Sequence, residues 1–259
     1  MGNAMTPPAD PNSLVDGSSS GALVLRRASN ELNAELTPGL IHEVNNVLTG
    51  IYFNLEACQE AVGSDGGIAE PILEIGRGVE RIKELLTRAT QIHLNVAERE
   101  TTYHDLEALV ASELDLLRVV FPRTAKIQFC GPSAPIHVRV AEYPFRVAFL
   151  SVAARLSSFL PTGRIEVPVS IFGTSQLEEV AARLGKEIPP GSVGVSFRIP
   201  SSIDSAQEID AYPAVDAPVD VSMANAEAVL AGLGGRLAVW NDSAGDDCLV
   251  LLVLPSCDF

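Results

Sequence analysis

Leu36-Thr37-Pro38-Gly39-Leu40-Ile41-His42-Glu43-Val44-Asn45-Asn46-Val47-Leu48-Thr49-Gly50-Ile51 is the stretch that decides how this chain is read. Apolar residues recur from it at Leu40, Val44, Val47, Ile51, Leu55, Cys58 and Val62, in steps of three and four that draw one stripe of an amphipathic helix. His42 stands two positions from both Leu40 and Val44, so at ~100° per residue it is turned roughly 200° away from each. The spacing therefore puts a polar pentapeptide, His42 to Asn46, on a helix and points its imidazole at water.

Working outward, the helix can start near Ser29 or Asn30, either an acceptable N-cap, and run to about Ala61, with Thr37-Pro38-Gly39 as a kink or restart. Residues 1–27 are rich in Pro, Asp, Ser and Gly at their start and read as a disordered leader. Gly63-Ser64-Asp65-Gly66-Gly67 makes a tight turn. A second helix follows, with Pro71 in its first turn and Ile68, Ile72, Ile75, Val79, Ile82, Leu86 and Ala89 at alternating steps of four and three, close to a heptad. Two such helices form an antiparallel hairpin over residues 28–100, and each stripe keeps one side wet. Pairing of two hairpins into a dimeric four-helix bundle covers those sides.

Past a linker at Arg99 to Tyr103 the periodicity changes, and residues 101–259 read as a second domain. Leu106 to Val119 predicts a helix, Lys126 to Cys130 and Ile136 to Val140 strands, and Phe145 to Leu160 an apolar buried helix. Strands at Arg164 to Phe172 and Val193 to Ile199, a helix at Val221 to Leu233, and a hairpin of Arg236 to Trp240 with Leu249 to Leu254 complete it. Helices interspersed among strands imply an α+β fold, a mixed sheet covered on one face by helices. Leu177 to Lys186 reads as a charged surface helix and Ser201 to Asp220 as an exposed acidic loop.

With 47% apolar residues, the 259-residue chain can bury a sizeable core, and its formal charge of −15 argues against a nucleic-acid or anionic-membrane surface. Cys58, Cys130, Cys248 and Cys257 have no repeated spacing and read as small apolar residues of a reducing compartment. No apolar run nears the ~20 residues of a membrane span, and the N-terminus lacks the basic-then-apolar order of a signal peptide, so the expected location is cytoplasmic. His93, His104 and His137 lack neighbours at metal-ligand spacing and read as structural. The acids Asp204, Glu208, Asp210, Asp216 and Asp220 do not follow a calcium-loop pattern and read as a solvated charge run.

The hairpin with His42-Glu43-Val44-Asn45-Asn46, a Leu48-Thr49-Gly50-Ile51 continuation and an α/β domain after it resembles the transmitter core of two-component sensor histidine kinases, in order from Ser29 to Pro255. The usual Pro after the second Asn is replaced by Val47. The resemblance implies His42 as phosphoacceptor, Glu43 as the acid that orients the imidazole and takes its proton, and Asn46 as a residue that places water. An exposed neutral imidazole is a good nucleophile toward phosphorus, and a carboxylate beside it can hold the reactive tautomer.

The second half resembles the kinase ATP-binding domain in layout and departs from it in chemistry. Ser151 and Arg155 stand where the family has two Asn, the second a Mg²⁺ ligand that an arginine would repel. The strand that should end in Asp-x-Gly-x-Gly reads Phe197-Arg198-Ile199-Pro200-Ser201-Ser202, and the later Gly-x-Gly is Asp220-Val221-Ser222. Gly234-Gly235-Arg236-Leu237-Ala238-Val239 keeps the family's turn and strand, and a helix C-cap accounts for its glycines.

Together these imply a dimeric histidine phosphotransferase on a degenerate kinase scaffold. It would pass phosphoryl groups between response-regulator receiver domains through phosphohistidine, without ATP. The implied partners are receiver domains, with a hybrid histidine kinase as a further candidate, and a second copy of the chain. No cofactor or metal of its own is implied, because the receiver supplies the Mg²⁺. The alternatives are a non-catalytic scaffold or inhibitor of such a pathway, and an active histidine kinase or receiver phosphatase.

Overall fold

The computed structural model describes residues 16–62, 68–94, 100–160, 163–200, 221–242 and 247–257. The residues expected to form the start of the leader (1–15), the turn Gly63 to Gly67, the first part of the linker and the acidic loop Ser201 to Asp220 lie outside them. The described chain is mixed α and β, with helices α1 (Asp16–Val62), α2 (Ala69–Leu94), α3 (Leu106–Val120), α4 (Glu142–Ser157), α5 (Thr174–Arg183) and α6 (Val221–Gly232). Strands are β1 (Thr102–Asp105), β2 (Ala125–Cys130), β3 (His137–Val140), β4 (Ile165–Phe172), β5 (Ser192–Pro200), β6 (Arg236–Asp242) and β7 (Asp247–Pro255).

Helix α1 starts well before the expected Ser29, so residues 16–27 are helical rather than part of a disordered leader. Leu25, Ala28, Leu32 and Leu36, spaced three, four and four, are buried in the main core with residues of α3, α4 and α6. Burying each such leucine stabilises the fold by about 1.5–3 kcal/mol, and this anchors a segment whose own composition is a poor helix former. Tyr143 of α4 donates a hydrogen bond to Ser29 Oγ at 2.8 Å, and Asn225 of α6 donates to Glu31 at 2.6 Å. The first half of α1 therefore belongs to the packing of the α/β part, and its second half forms the hairpin with α2.

Pro38 does not break α1, which runs continuously through Thr37-Pro38-Gly39. An interior proline costs roughly 3 kcal/mol. Packing on both sides offsets it, with Leu36 buried and Leu40 against the same core. Gly39 is required by close approach: a Cβ there would lie 2.7 Å from the Val119 carbonyl oxygen of α3. The α1–α2 contact is similarly tight at Gly78, whose Cβ would come within 2.9 Å of Ile51.

The main sheet has strand order β2-β4-β5-β7-β6, parallel between β2 and β4 and antiparallel elsewhere. The expected linker ends inside β1, which pairs antiparallel with β3 so that Asp105 faces His137. Helices α3, α4 and α6 cover one sheet face, where Phe149 stacks near Phe145 and tilts onto Phe197 with ring centroids 5.9 and 5.1 Å away. The other face is covered in part as well, which corrects the expectation of a one-sided sheet. Helix α5 buries Leu177 and Ala181, one turn apart, against Trp240, Leu249, Leu251 and Val253. The unbroken apolar run of β7 follows from this: Cys248, Val250, Leu252 and Leu254 face one layer and Leu249, Leu251 and Val253 the other.

Candidate functional site

His42 is solvent-exposed on α1, Glu43 beside it is half-buried, and Asn46 lies one turn further on the same side of the helix. The side-chain nitrogen of Asn46 is buried and has no hydrogen-bond partner among the described residues. Asn45 is exposed, and its carbonyl accepts a hydrogen bond from Thr49 Oγ1 at 2.8 Å.

The end of α3 and the corner that follows it stand across from His42. A groove of about 330 Å³ is lined by His42 and Glu43 from α1, by Arg118, Pro122 and Arg123 from α3 and the corner, and by Ser157 at the end of α4. Arg123 Nη2 lies 3.7 Å from Glu43 Oε2, an ion pair beyond hydrogen-bond length. Arg118 is held by Asp115 at 2.7 Å. Ser157 donates its hydroxyl to the Ala154 carbonyl at 2.7 Å. The corner is stiff: Phe121 is buried against Phe197, and Ala125 N donates to Pro122 O at 2.8 Å.

A second groove, of about 490 Å³, shares Val120 and Ser157 with the first and contains Glu35, Arg155 and Ser158. Ser151 is buried, and Arg155 donates to Ser158 Oγ at 3.1 Å and lies 4.0 Å from the centre of the Phe159 ring. Neither offers the carboxamide oxygen that a hard cation would accept.

The structure thus brings His42 and Glu43 to one groove, leaves Asn46 one turn along with its side-chain nitrogen buried, and adds Arg118 and Arg123, which the sequence reading did not single out. Two arginines flanking a Phe-Pro pair in an acidic chain were the available signal. Nothing linear ties them to His42. His104 Nε2 lies 2.6 Å from Thr102 Oγ1 at the small β1–β3 sheet, remote in the chain from the groove. None of Cys58, Cys130, Cys248 and Cys257 is in a disulfide. Among the described residues no three His, Cys, Asp or Glu side chains are grouped to hold a metal, and no helix is long and apolar enough to cross a membrane.

No protein-family model and no curated protein matches the chain. Similar solved structures include the Acinetobacter baumannii histidine kinase AdeS, with a TM-score of 0.41 and 11% identity over 84% of this chain and 98% of that one. The mycobacterial sensor histidine kinase MprB matches with a TM-score of 0.42 and 16% identity over 61% of this chain and 99% of that one. A bacterial phosphotransferase matches with a TM-score of 0.43 and 14% identity over 85% of this chain and 95% of that one.

Proposed function

We propose that this chain is a histidine phosphotransferase, moving phosphoryl groups between receiver domains through His42 without ATP. The observation that carries the reading is the exposed His42 imidazole beside Glu43 at an open groove bordered by two guanidinium groups. An unprotonated ring nitrogen of His42 attacks the acyl phosphate of a receiver aspartate. A P–N bond forms, the P–O bond breaks, and the carboxylate leaves with the electron pair. The proton on the other ring nitrogen passes to Glu43 or water, which leaves a phosphohistidine that a second receiver's aspartate can attack in turn. Mg²⁺ for both steps comes with the receivers. Asn46, one turn along from His42, would have to turn its buried carboxamide outward to place a water near the phosphoryl group.

The partners follow from this chemistry: receiver domains, and a hybrid histidine kinase where the receiver is fused to one. A second copy of the chain is the further partner, and exposed apolar residues of the hairpin support it. The α2 heptad splits, with Ile75 and Ile82 less exposed while Ile72, Val79 and Leu86, seven apart, are 56%, 51% and 54% exposed. Leu48, Tyr52 and Leu55 continue such a face on α1. Their burial in a four-helix bundle is favourable, and a cytoplasmic location fits the partners.

The test mixes the chain with one labelled phospho-receiver and a second, unlabelled receiver. Label should reach the second receiver only when the chain is present, independently of added ATP, and not with His42→Ala. Transfer that survives His42→Ala rejects the reading, and incorporation of γ-labelled ATP in place of receiver label makes the chain a kinase.

A further inference from the structure

We infer that Arg123 is a phosphoryl-binding residue, which exchanges the Glu43 carboxylate for the phosphoryl oxygens once His42 is phosphorylated; this rests on His42 being the acceptor. Arg123 and His42 line the same groove, one from the corner after α3 and the other from α1. The resting partner of Arg123 is a poor one. Its contact with Glu43 is 3.7 Å long, with the two side chains 64% and 32% exposed, so solvent screens it and it is easily given up. Arg118, the other cation of the groove, is already committed to Asp115 at 2.7 Å, which also lies 3.8 Å from Arg81.

The backbone beneath Arg123 is fixed, while its head is held only by the long contact with Glu43. Buried Phe121, the φ of Pro122 and the bond from Ala125 N to Pro122 O set the corner, so little order must be gained beyond the arginine's own rotamers. A phosphorylated side chain carries about −1.5 to −2 charge and three acceptor oxygens, against −1 and two on a carboxylate. The planar guanidinium fork meets phosphoryl oxygens with two parallel hydrogen bonds. Partner exchange is therefore downhill. It holds the phosphoryl group on His42 and shifts the transfer equilibrium from receiver to this chain. Two guanidiniums at the acceptor also stand out against a chain with a net charge of −15.

The experiment phosphorylates the full chain in two ways, from a phospho-receiver and chemically with phosphoramidate. Wild type, Arg123→Ala and Arg123→Lys are compared. The readouts are the chain-to-receiver ratio of label at equilibrium and the lifetime and ³¹P shift of phosphohistidine after the donor is removed. Arg123→Ala should lower the ratio and shorten the lifetime by about tenfold, and Arg123→Lys should recover only part of both, since an ammonium is a point charge. Melting temperatures should agree among the three, because the side chain is mostly exposed. A ratio and lifetime within twofold of wild type in Arg123→Ala overturn the inference. If receivers transfer nothing while the phosphoramidate product shows the lifetime effect, the clamp stands and the phosphotransferase reading falls. If phosphoramidate does not label His42, both fall.

Discussion

Arg146 and Glu113 form a nearly buried ion pair in the α/β part. Arg146 Nε donates to Glu113 Oε1 at 2.6 Å, with the side chains only 11% and 3% exposed, and Arg146 Nη2 reaches Glu142 at 3.0 Å. Removing one partner strands a buried charge, so Arg146→Ala should destabilise the fold by about 3–5 kcal/mol in urea unfolding. Removing both, by Glu113→Leu with Arg146→Met, should cost much less than twice that. Tyr143 offers a second check. Burial raises its phenol above the ordinary 10.0, against smaller lowering effects from the Ser29 hydrogen bond and the charge of Arg146. The unfolded phenol then ionises first, so this contribution is intact below pH ~10 and lost as pH rises through the folded value. Between about pH 9 and 11 the melting temperature of wild type should fall more steeply than that of Tyr143→Phe.

Helix α1 shows at the scale of an element where the sequence can and cannot be read. Its hairpin half was legible because Val44, Val47 and Ile51 keep a 3.6-residue period, and the same period turned His42 outward. Residues 16–28 were missed, although Leu25 and Ala28 lead into Leu32 and Leu36 at the same spacing, because the Ser-Gly composition upstream reads as a leader, and Pro38-Gly39 reads as a kink that the helix does not show. Tertiary packing overrode both signals, and Gly39 serves the approach of α3 rather than a turn. Alanine favours helix over glycine by roughly 1 kcal/mol, yet Gly39→Ala should lower the melting temperature. The clash is with a backbone oxygen, which cannot swing aside, and the displaced α1–α3 seam borders the His42 groove. A higher melting temperature would refute this packing. Helix α5 was half-legible: its charges were plain, whereas Leu177 and Ala181 acquire meaning only beneath a sheet whose second face needs covering.

For the whole molecule, strand positions were largely readable from alternation, while the strand order and the groove were not, since both arise from long-range contacts. The groove joins the middle of α1 to the corner before β2, and no local pattern announces that pairing. Assembly gives another prediction. If two hairpins pair through Ile72, Val79 and Leu86, light scattering should give twice the chain mass of 27.4 kDa, and Ile72→Glu with Val79→Glu should return it to one. A wild-type chain that runs at single mass would contradict this arrangement. The proposed function requires that His42 carry phosphate. It is tested most directly by incubating the chain with a phosphorylated receiver, digesting at alkaline pH and locating the phosphoryl group by tandem mass spectrometry. Phosphate is expected on the His42 imidazole and absent in His42→Ala. Phosphate on another residue of this chain, or none while receivers keep theirs, would contradict it.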